Sequence, residues 1–199
     1  MKSLFTSTLL ILFATSCCAQ YSDKEQFLND YWKSYKSKDS FAYRSTNYPK
    51  FYEYDTSAIH QGFDSYLSSK EVSIMLKRAQ TDTLKLLWDQ TKVEGITFIS
   101  NSDAHIISNG PCGQLEGKEL KDTSLVRRAA AREKVMKKYH NPSGVYYYPL
   151  PIYDETMEYA IFGPSYYCCG FLCMDTYCYL FKKVNGHWTT IAKAYLAVH

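Results

Sequence analysis

The sequence predicts an α+β fold in which an antiparallel sheet, mainly from the C-terminal half, packs against two or three helices. Three observations predict it: apolar residues recur at helical spacing before residue 140, strand-like segments fill about the last sixty residues, and Asn185-Gly186 marks a hairpin turn. The 199 residues fit a single domain over 20–199, whose part 20–81 is mostly helical.

The first helix is predicted over 23–37. Ser22 and Glu25 have the spacing of a capping box, and aromatic residues follow at intervals of four, at Phe27 and Tyr31. We expect this aromatic stripe to face the core. Segment 39–66 reads as irregular with short extended pieces.

The middle of the chain alternates between elements. Ser68 and Glu71 repeat the capping-box spacing and predict a helix that ends near residue 80. Two strands are predicted over 84–88 and 93–100, followed by a glycine-rich loop over 108–119.

A third helix is predicted over 123–139. Asp122 is its expected N-cap, basic residues occupy its last turn, and Asn141-Pro142 ends it.

The C-terminal segments predict strands. Segment 145–153 contains Pro149 and Pro151, which favour an edge or bulged strand, and the next strand, 158–167, is broken at Gly163-Pro164.

The last two strands flank Asn185-Gly186 in a two-residue hairpin. Counting outward from that turn pairs Val184 with His187, Lys183 with Trp188, Phe181 with Thr190 and Tyr179 with Ala192.

The composition excludes several classes of protein. Apolar residues make up 46% and charged residues 22%, as in ordinary globular proteins, and the net charge of +3 is too small to indicate nucleic acid as a partner. The sequence has no phosphate loop, nucleophile elbow or His-Glu-x-x-His motif. It therefore predicts no catalytic residue, no metal ligand and no cofactor.

The N-terminus has the pattern of an export signal. Lys2 precedes an apolar run over 4–14, which is shorter than the about 20 residues of a bilayer span and fits the core of a secretory signal. Segment 13–17, Phe-Ala-Thr-Ser-Cys, is similar to a lipobox and predicts lipidation of Cys17. A cut after Ala19 with plain secretion is the alternative.

The predicted signal peptide is 1–19, cut before Cys17 in a lipoprotein. We expect an exported protein of the periplasm or outer membrane, or a secreted one if no lipid is attached; a retained, uncut anchor is the third option. The expected partners are the membrane, through the lipid anchor, and an unknown envelope protein or glycan.

Cysteines are frequent. Beyond Ala19 lie Cys112, Cys168, Cys169, Cys173 and Cys178. Five thiols cannot all pair, whereas a lipoprotein that keeps Cys18 has six. In an export compartment we expect disulfides, with Cys169–Cys173 as a local bridge and the other three as further candidates. Free thiols and a metal site are the alternatives, although the spacing is poor for zinc.

Two motifs carry a resemblance: Cys-Gly-Phe-Leu-Cys at 169–173 and Lys-Val-Asn-Gly-His-Trp at 183–188. With the segments around Trp88 and Tyr159, they resemble a family of small, uncharacterised exported bacterial proteins over about 84–199. Met174 departs from the family's pattern, which has glycine after the second cysteine. The resemblance implies export and assigns no functional residue.

Candidate functional residues are few. Asp103 and His105 form an acid–histidine pair near a strand end, for which a solvated loop is the favoured interpretation, and His187 is expected to be exposed. Segment 116–140 has eight Lys or Arg against four acidic residues, which indicates a solvated helix face or a docking site for an anionic headgroup or phosphate.

Nineteen tyrosines fit either sheet packing or a binding face for a glycan or partner. The leading hypothesis is a non-enzymatic envelope protein that binds a partner or ligand or has a structural role; the alternative is an envelope hydrolase acting on carbohydrate or peptide. A deep pocket with His105 and carboxyls of raised pKa would favour the hydrolase, and a shallow tyrosine-rich face would favour binding.

Overall fold

The computed structural model describes residues 23–34, 40–43, 45–46, 56–81, 86–111, 115–140, 145–167 and 177–196, and confirms the α+β fold. The described helices are α1 (23–34), α2 (Ser57–Phe63), α3 (Ser69–Thr81), α4 (Asn101–Asn109) and α5 (Thr123–Lys138), with a 3-10 helix over Gly117–Lys121. The described strands are β1 (Ser40–Tyr43), β2 (Ser45–Thr46), β3 (Leu86–Leu87), β4 (Ile96–Ile99), β5 (Val145–Tyr147), β6 (Ile152–Tyr153), β7 (Tyr159–Phe162), β8 (Ser165–Tyr167), β9 (Tyr177–Val184) and β10 (His187–Tyr195).

An antiparallel sheet of order β10-β9-β7-β6 forms the centre of the C-terminal half. Side chains alternate between its two faces, as a pleated strand requires. Tyr179 and Phe181 of β9 belong to the core on one face, and Cys178 and Leu180 belong to the core on the other. The sheet is therefore buried on both sides.

Helix α1 covers one face of this sheet with the aromatic stripe that its sequence predicts. Phe27 has edge-to-face contacts with Phe162 at 5.1 Å and Phe181 at 4.8 Å between ring centroids, and Tyr31 contacts Phe162 at 5.0 Å. Such contacts add about 0.5–1.5 kcal/mol per pair to the burial of the rings. The stripe belongs to the core, as expected.

Helices α2 and α3 cover the opposite face. Their buried residues, among them Phe63 and Met75, form one core cluster with Ile161 and Leu180 of the sheet. Gly62 permits α2 to approach β10 closely, because a Cβ there would stand 3.0 Å from that of Ala194. The antiparallel sheet thus packs between α1 and the α2–α3 pair.

A second, mixed sheet has the order β4-β1-β5-β8. Strand β1 runs parallel to β4 and β5, whereas β5 and β8 are antiparallel. Helices α4 and α5 share a core cluster with this sheet, formed by Ile99, Ala104, Ile107, Val135 and Val145. Strands β2 and β3 form a separate antiparallel pair.

From β5 onward the chain crosses between the two main sheets three times, and the first crossing corrects the expectation for 145–153. That segment is two strands in different sheets, and β5 lies inside the mixed sheet while only β6 is an edge strand. The break coincides with Pro149 and Pro151, which have no N–H for a ladder. Gly163-Pro164 likewise separates β7 from β8 and sends them to different sheets.

The hairpin at Asn185-Gly186 is confirmed, with φ of +52° and +82° at the two turn residues. Val184 pairs with His187, and the register holds as predicted to Phe181–Thr190. The predicted pairing of Tyr179 with Ala192 is wrong, because a bulge between Thr190 and Ala192 shifts the register and Tyr179 pairs with Lys193.

Candidate functional site

A groove lies between α3 and the turn that follows β6, and we call it the α3 groove. Its volume is about 490 Å³, within the range of small-molecule and peptide side-chain sites. Its lining residues come from α3 with its N-terminal flank and from the turn: Leu67, Glu71, Ile74, Met75, Lys77, Arg78, Thr81, Tyr153, Asp154, Glu155 and Thr156.

The α3 wall begins at a capping box, as its sequence predicts. Glu71 Oε2 accepts hydrogen bonds from Ser68 N at 2.7 Å and Ser68 Oγ at 2.6 Å, and Glu71 N donates to Ser68 Oγ at 3.3 Å. The Ser68 hydrogen bonds lower the pKa of the Glu71 carboxyl from its usual value. Glu71 is thus an ionised rim residue, unsuited to act as a general acid at neutral pH.

The opposite wall is a turn organised by Asp154. Its Oδ1 accepts from the backbone N–H groups of Glu158 at 2.9 Å and Tyr159 at 2.8 Å, and its Oδ2 accepts from the hydroxyl of Thr156. Such side-chain-to-backbone bonds fix a turn without help from a ligand. The two walls are joined by Arg78, whose Nη1 donates to the Tyr153 carbonyl at 3.2 Å.

The groove combines an aliphatic interior with charged residues of both signs. Ile74 is 47% exposed, although its neighbour Met75 is buried in the core. Lys77 belongs to the α3 wall, and Glu155 belongs to the turn. An exposed aliphatic side chain among opposite charges suits binding of a segment that carries an apolar group and polar flanks.

Ile74 and the turn were not among the candidate residues from the sequence. The signal for Ile74 is present, because it is the large apolar residue of α3 that lies off the buried stripe of Val72, Met75, Leu76 and Ala79. That the Asp154 turn forms the second wall of the groove cannot be predicted from the sequence, because β6 and α3 are brought together only by the tertiary fold.

A second set of polar groups lies along α1 and holds the helix in place. Asp23 binds Lys183 Nζ at 2.9 Å and accepts from Trp188 Nε1 at 2.9 Å, and Asp30 accepts from Trp188 N at 2.9 Å. These bonds tie α1 to the β9–β10 hairpin. These hydrogen bonds and the ion pair satisfy the carboxylates of Asp23 and Asp30, so no bound ligand is needed to explain their positions.

The N-terminal turn of α1 also holds a buried ion pair between Lys24 and Glu25. Burial lowers the pKa of Lys24, opposed by the nearby charge of Asp89. Glu25 Oε1 accepts from the Asp89 N–H at 3.2 Å, and Lys24 Nζ lies 5.5 Å from the centroid of the Trp88 ring. The pair joins α1 to the loop before β4.

Asp103 and His105 lie on α4, so the expected loop is corrected to a helix. Asp103 accepts hydrogen bonds from Lys138 Nζ at 2.7 Å and the Tyr139 hydroxyl at 2.8 Å, while His105 is exposed and contacts Asn109 at 2.9 Å. The hydrogen bond from Lys138 is the main cause of the lowered pKa of Asp103, and the reverse contact raises the pKa of Lys138. The two residues have separate partners and do not form a dyad.

The other sequence-predicted residues have mixed outcomes. His187 is exposed as expected, and its Nδ1 lies 3.2 Å from Asp30 Oδ1. Cys178 is fully buried with a free thiol whose pKa is raised well above its usual value by burial. Cys17 and the other candidate disulfide residues, Cys112, Cys168, Cys169 and Cys173, lie outside the described residues.

Among the tyrosines with described side chains, Tyr31, Tyr148, Tyr153 and Tyr179 are buried in the core, whereas Tyr66 and Tyr195 are exposed. Within the described part of the chain, no three His, Cys, Asp or Glu side chains come together as a metal site would require. No helix in that part is both long and apolar enough to cross a bilayer.

Comparisons with protein families, curated proteins and solved structures give no match to this chain. The α+β architecture and the α3 groove are therefore the basis of any functional assignment.

Proposed function

We propose that this is an exported, lipid-anchored binding protein of the cell envelope that holds an apolar side chain of a partner peptide in the α3 groove. The observation that carries the proposal is the half-exposed Ile74 inside a preformed groove with charged residues of both signs. The lipobox-like segment that ends at Cys17 supports the location in the envelope.

The lining favours a peptide over a glycan. Glycan sites present an exposed aromatic ring on which a sugar stacks. The aromatic residue of the groove, Tyr153, is only 6% exposed, and the accessible apolar surface comes from aliphatic groups such as Ile74. Lys77 and Arg78 on α3 and Glu155 on the turn can meet the polar backbone or charged flanks of a peptide.

The same geometry does not favour the hydrolase alternative. A general acid for glycoside or peptide cleavage needs a raised carboxyl pKa near its working pH. Hydrogen bonds from Ser68 lower the pKa of Glu71, and Asp154 already accepts bonds from its own turn. Glu71 and Asp154 therefore have the chemistry of binding or structural groups.

A site-specific cross-linking experiment tests the proposal. A photoreactive residue replaces Ile74 in one variant of the full chain and Ser73, which is exposed but does not line the groove, in the control. We expect one partner segment, identified by mass spectrometry, to cross-link to position 74 and not to position 73. That segment is then synthesised and its affinity measured by calorimetry.

The affinity measurement distinguishes specific binding in the α3 groove from nonspecific binding. Ile74→Glu places a charge in the aliphatic part of the groove and should weaken binding of the synthetic segment at least about tenfold. Ser73→Glu adds the same charge one residue away and should leave the affinity unchanged. Equal affinity for both variants, or cross-links to a glycan alone, would overturn the peptide-binding proposal.

A further inference from the structure

The outward side of α5 carries basic residues from Arg127 to Lys137. Its exposed residues at spacings of one, three or four form a continuous stripe on the side away from the half-buried Leu125, Ala129 and Met136. We call this stripe the basic face, and its residues are Val126, Arg127, Ala130, Lys134 and Lys137.

The acidic side chains nearby are already engaged. Asp122 caps α5 by accepting from Ser124 N at 2.8 Å and Leu125 N at 3.2 Å, and Glu133 pairs with Lys137 at 2.6 Å. Glu116 and Glu119 form a reciprocal capping box on the 3-10 helix. None of these four carboxylates is directed to Arg127 or Lys134.

Several cations therefore remain without a counter-charge. Arg127 and Lys134 have no ion pair among the described residues, and the same holds for Lys118 and Lys121 of the 3-10 helix. Segment 116–140 has eight Lys or Arg against four acidic residues, so the net charge of the segment is clearly positive. A surface of this kind attracts a polyanion.

Apolar side chains accompany the cations. Leu120 on the 3-10 helix is 60% exposed and Val126 on the basic face is 39% exposed. Binding of a nucleic acid or a soluble phosphate would leave these aliphatic groups exposed to water. The boundary between lipid headgroups and acyl chains accommodates both, because it offers anionic groups at one depth and hydrocarbon just below.

We propose that the basic face and the adjoining 3-10 helix dock on an anionic lipid surface. Ala130 lies between Arg127 and Lys134 along the stripe. Its small side chain would not keep either cation away from a flat membrane surface. Leu120 and Val126 would enter the headgroup boundary beside them. The proposal concerns residues of α5 and the 3-10 helix and does not rest on the α3 groove.

Vesicle binding of the full chain tests the proposal. The probes are vesicles of phosphatidylcholine alone and of phosphatidylcholine with about one third phosphatidylglycerol, and the readout is the ratio of the two partition coefficients. Any N-terminal anchor contributes alike to both compositions. Each cation near an anionic surface changes partitioning about fivefold, so Arg127→Gln with Lys134→Gln should reduce the ratio about 25-fold.

Matched variants keep the outcome decisive. Lys33→Gln with Lys70→Gln removes the same charge from exposed positions on α1 and α3, and we expect it to leave the ratio nearly unchanged. Leu120→Ser should lower binding to anionic vesicles and leave binding to soluble heparin unaltered. Equal losses in the two charge variants, or an unchanged ratio in Arg127→Gln with Lys134→Gln, would overturn the proposal. Heparin binding without any effect of Leu120→Ser on vesicles would assign the face to a soluble polyanion instead.

Discussion

Asp30 is one of the side chains that hold α1 against the β9–β10 hairpin. Its buried carboxylate accepts from Trp188 N at 2.9 Å and Gln26 Nε2 at 3.0 Å. The Trp188 N–H is itself buried and belongs to an edge strand, so its partner comes from α1 and not from a neighbouring strand. One carboxylate thereby satisfies a backbone donor of the sheet and orients the helix.

Asp30→Ala should lower the free energy of unfolding by about 1–3 kcal/mol, because it leaves the Trp188 N–H buried without a partner. Asp30→Asn keeps one acceptor oxygen and should cost less. Urea unfolding followed by circular dichroism measures both. His187→Ala is the control, since it removes only the exposed contact of the same carboxylate and should change stability by less than about 0.5 kcal/mol. Equal stability of Asp30→Ala and the wild type would show that this hydrogen bond is not formed.

The roles of some individual residues can be predicted from their spacing in the sequence, and the roles of others cannot. Phe27 and Tyr31 are recognisable as core from their spacing, because the periodicity of apolar residues along a helix is a short-range pattern. The role of Asp30 is not recognisable, because its partner Trp188 is far away in the chain. The same limit applies to Ile74, whose exposure is evident from its position on α3 but whose groove needs the turn at Asp154.

At the scale of elements, the hairpin of β9 and β10 is the feature most completely predicted. A type I′ turn needs positive φ at both central residues, and Asn185 and Gly186 have +52° and +82°. No described atom lies within 4 Å of a Cβ built on Gly186. A substitution there reports the backbone conformation alone, free of packing effects.

Gly186→Val should lower the free energy of unfolding by about 1–2 kcal/mol, because a β-branched residue is strained at positive φ. Gly186→Asn should cost less, since asparagine tolerates this conformation. Thermal unfolding of the three proteins, followed by circular dichroism, gives the comparison. A melting temperature that is the same for valine and asparagine would contradict the positive φ at this position.

The long capped helices are predictable from the sequence, whereas the short helices are not. The boundaries of α3 and α5 follow from Ser68 and Asp122, whose side chains accept from the first turn of each helix. Helix α2 has seven residues and no side-chain cap, so its sequence carries no strong signal. Helix α4 is capped by Ser100, but its nine residues offer little more than two turns of periodicity.

At the scale of the whole molecule, the two-sheet arrangement is what the sequence does not reveal. Pro149, Pro151 and Gly163-Pro164 mark where strands break, and both breaks are correct. Whether a broken strand continues in the same sheet or joins another depends on which neighbours it meets. Those neighbours include β1, whose parallel pairing with β5 joins residues about a hundred positions apart.

The proposed lipid anchor and the basic face would act on the same membrane. The described part of α1 starts at residue 23, so a lipid on Cys17 would hold the folded part within about 20 Å of the bilayer by chain length alone. A lipid chain together with a polybasic surface binds membranes more firmly than either signal alone. A short tether also raises the effective concentration of the basic face at the membrane.

The anchor itself is the last prediction. Intact-mass and N-terminal analysis of the exported protein should give a mature chain that begins at Cys17 and carries a diacylglyceryl or triacyl group. The prediction rests on Phe13 to Cys17 and on cysteine parity, because keeping Cys18 beside the five later thiols makes their number even. Cys17→Ala should abolish the modification and release the protein from membrane extracts, whereas Cys18→Ala, next to it, should leave both unchanged. An unmodified chain that begins at Gln20 would contradict the anchor and favour plain secretion, because small residues at Cys17 and Ala19 also satisfy an ordinary signal peptidase.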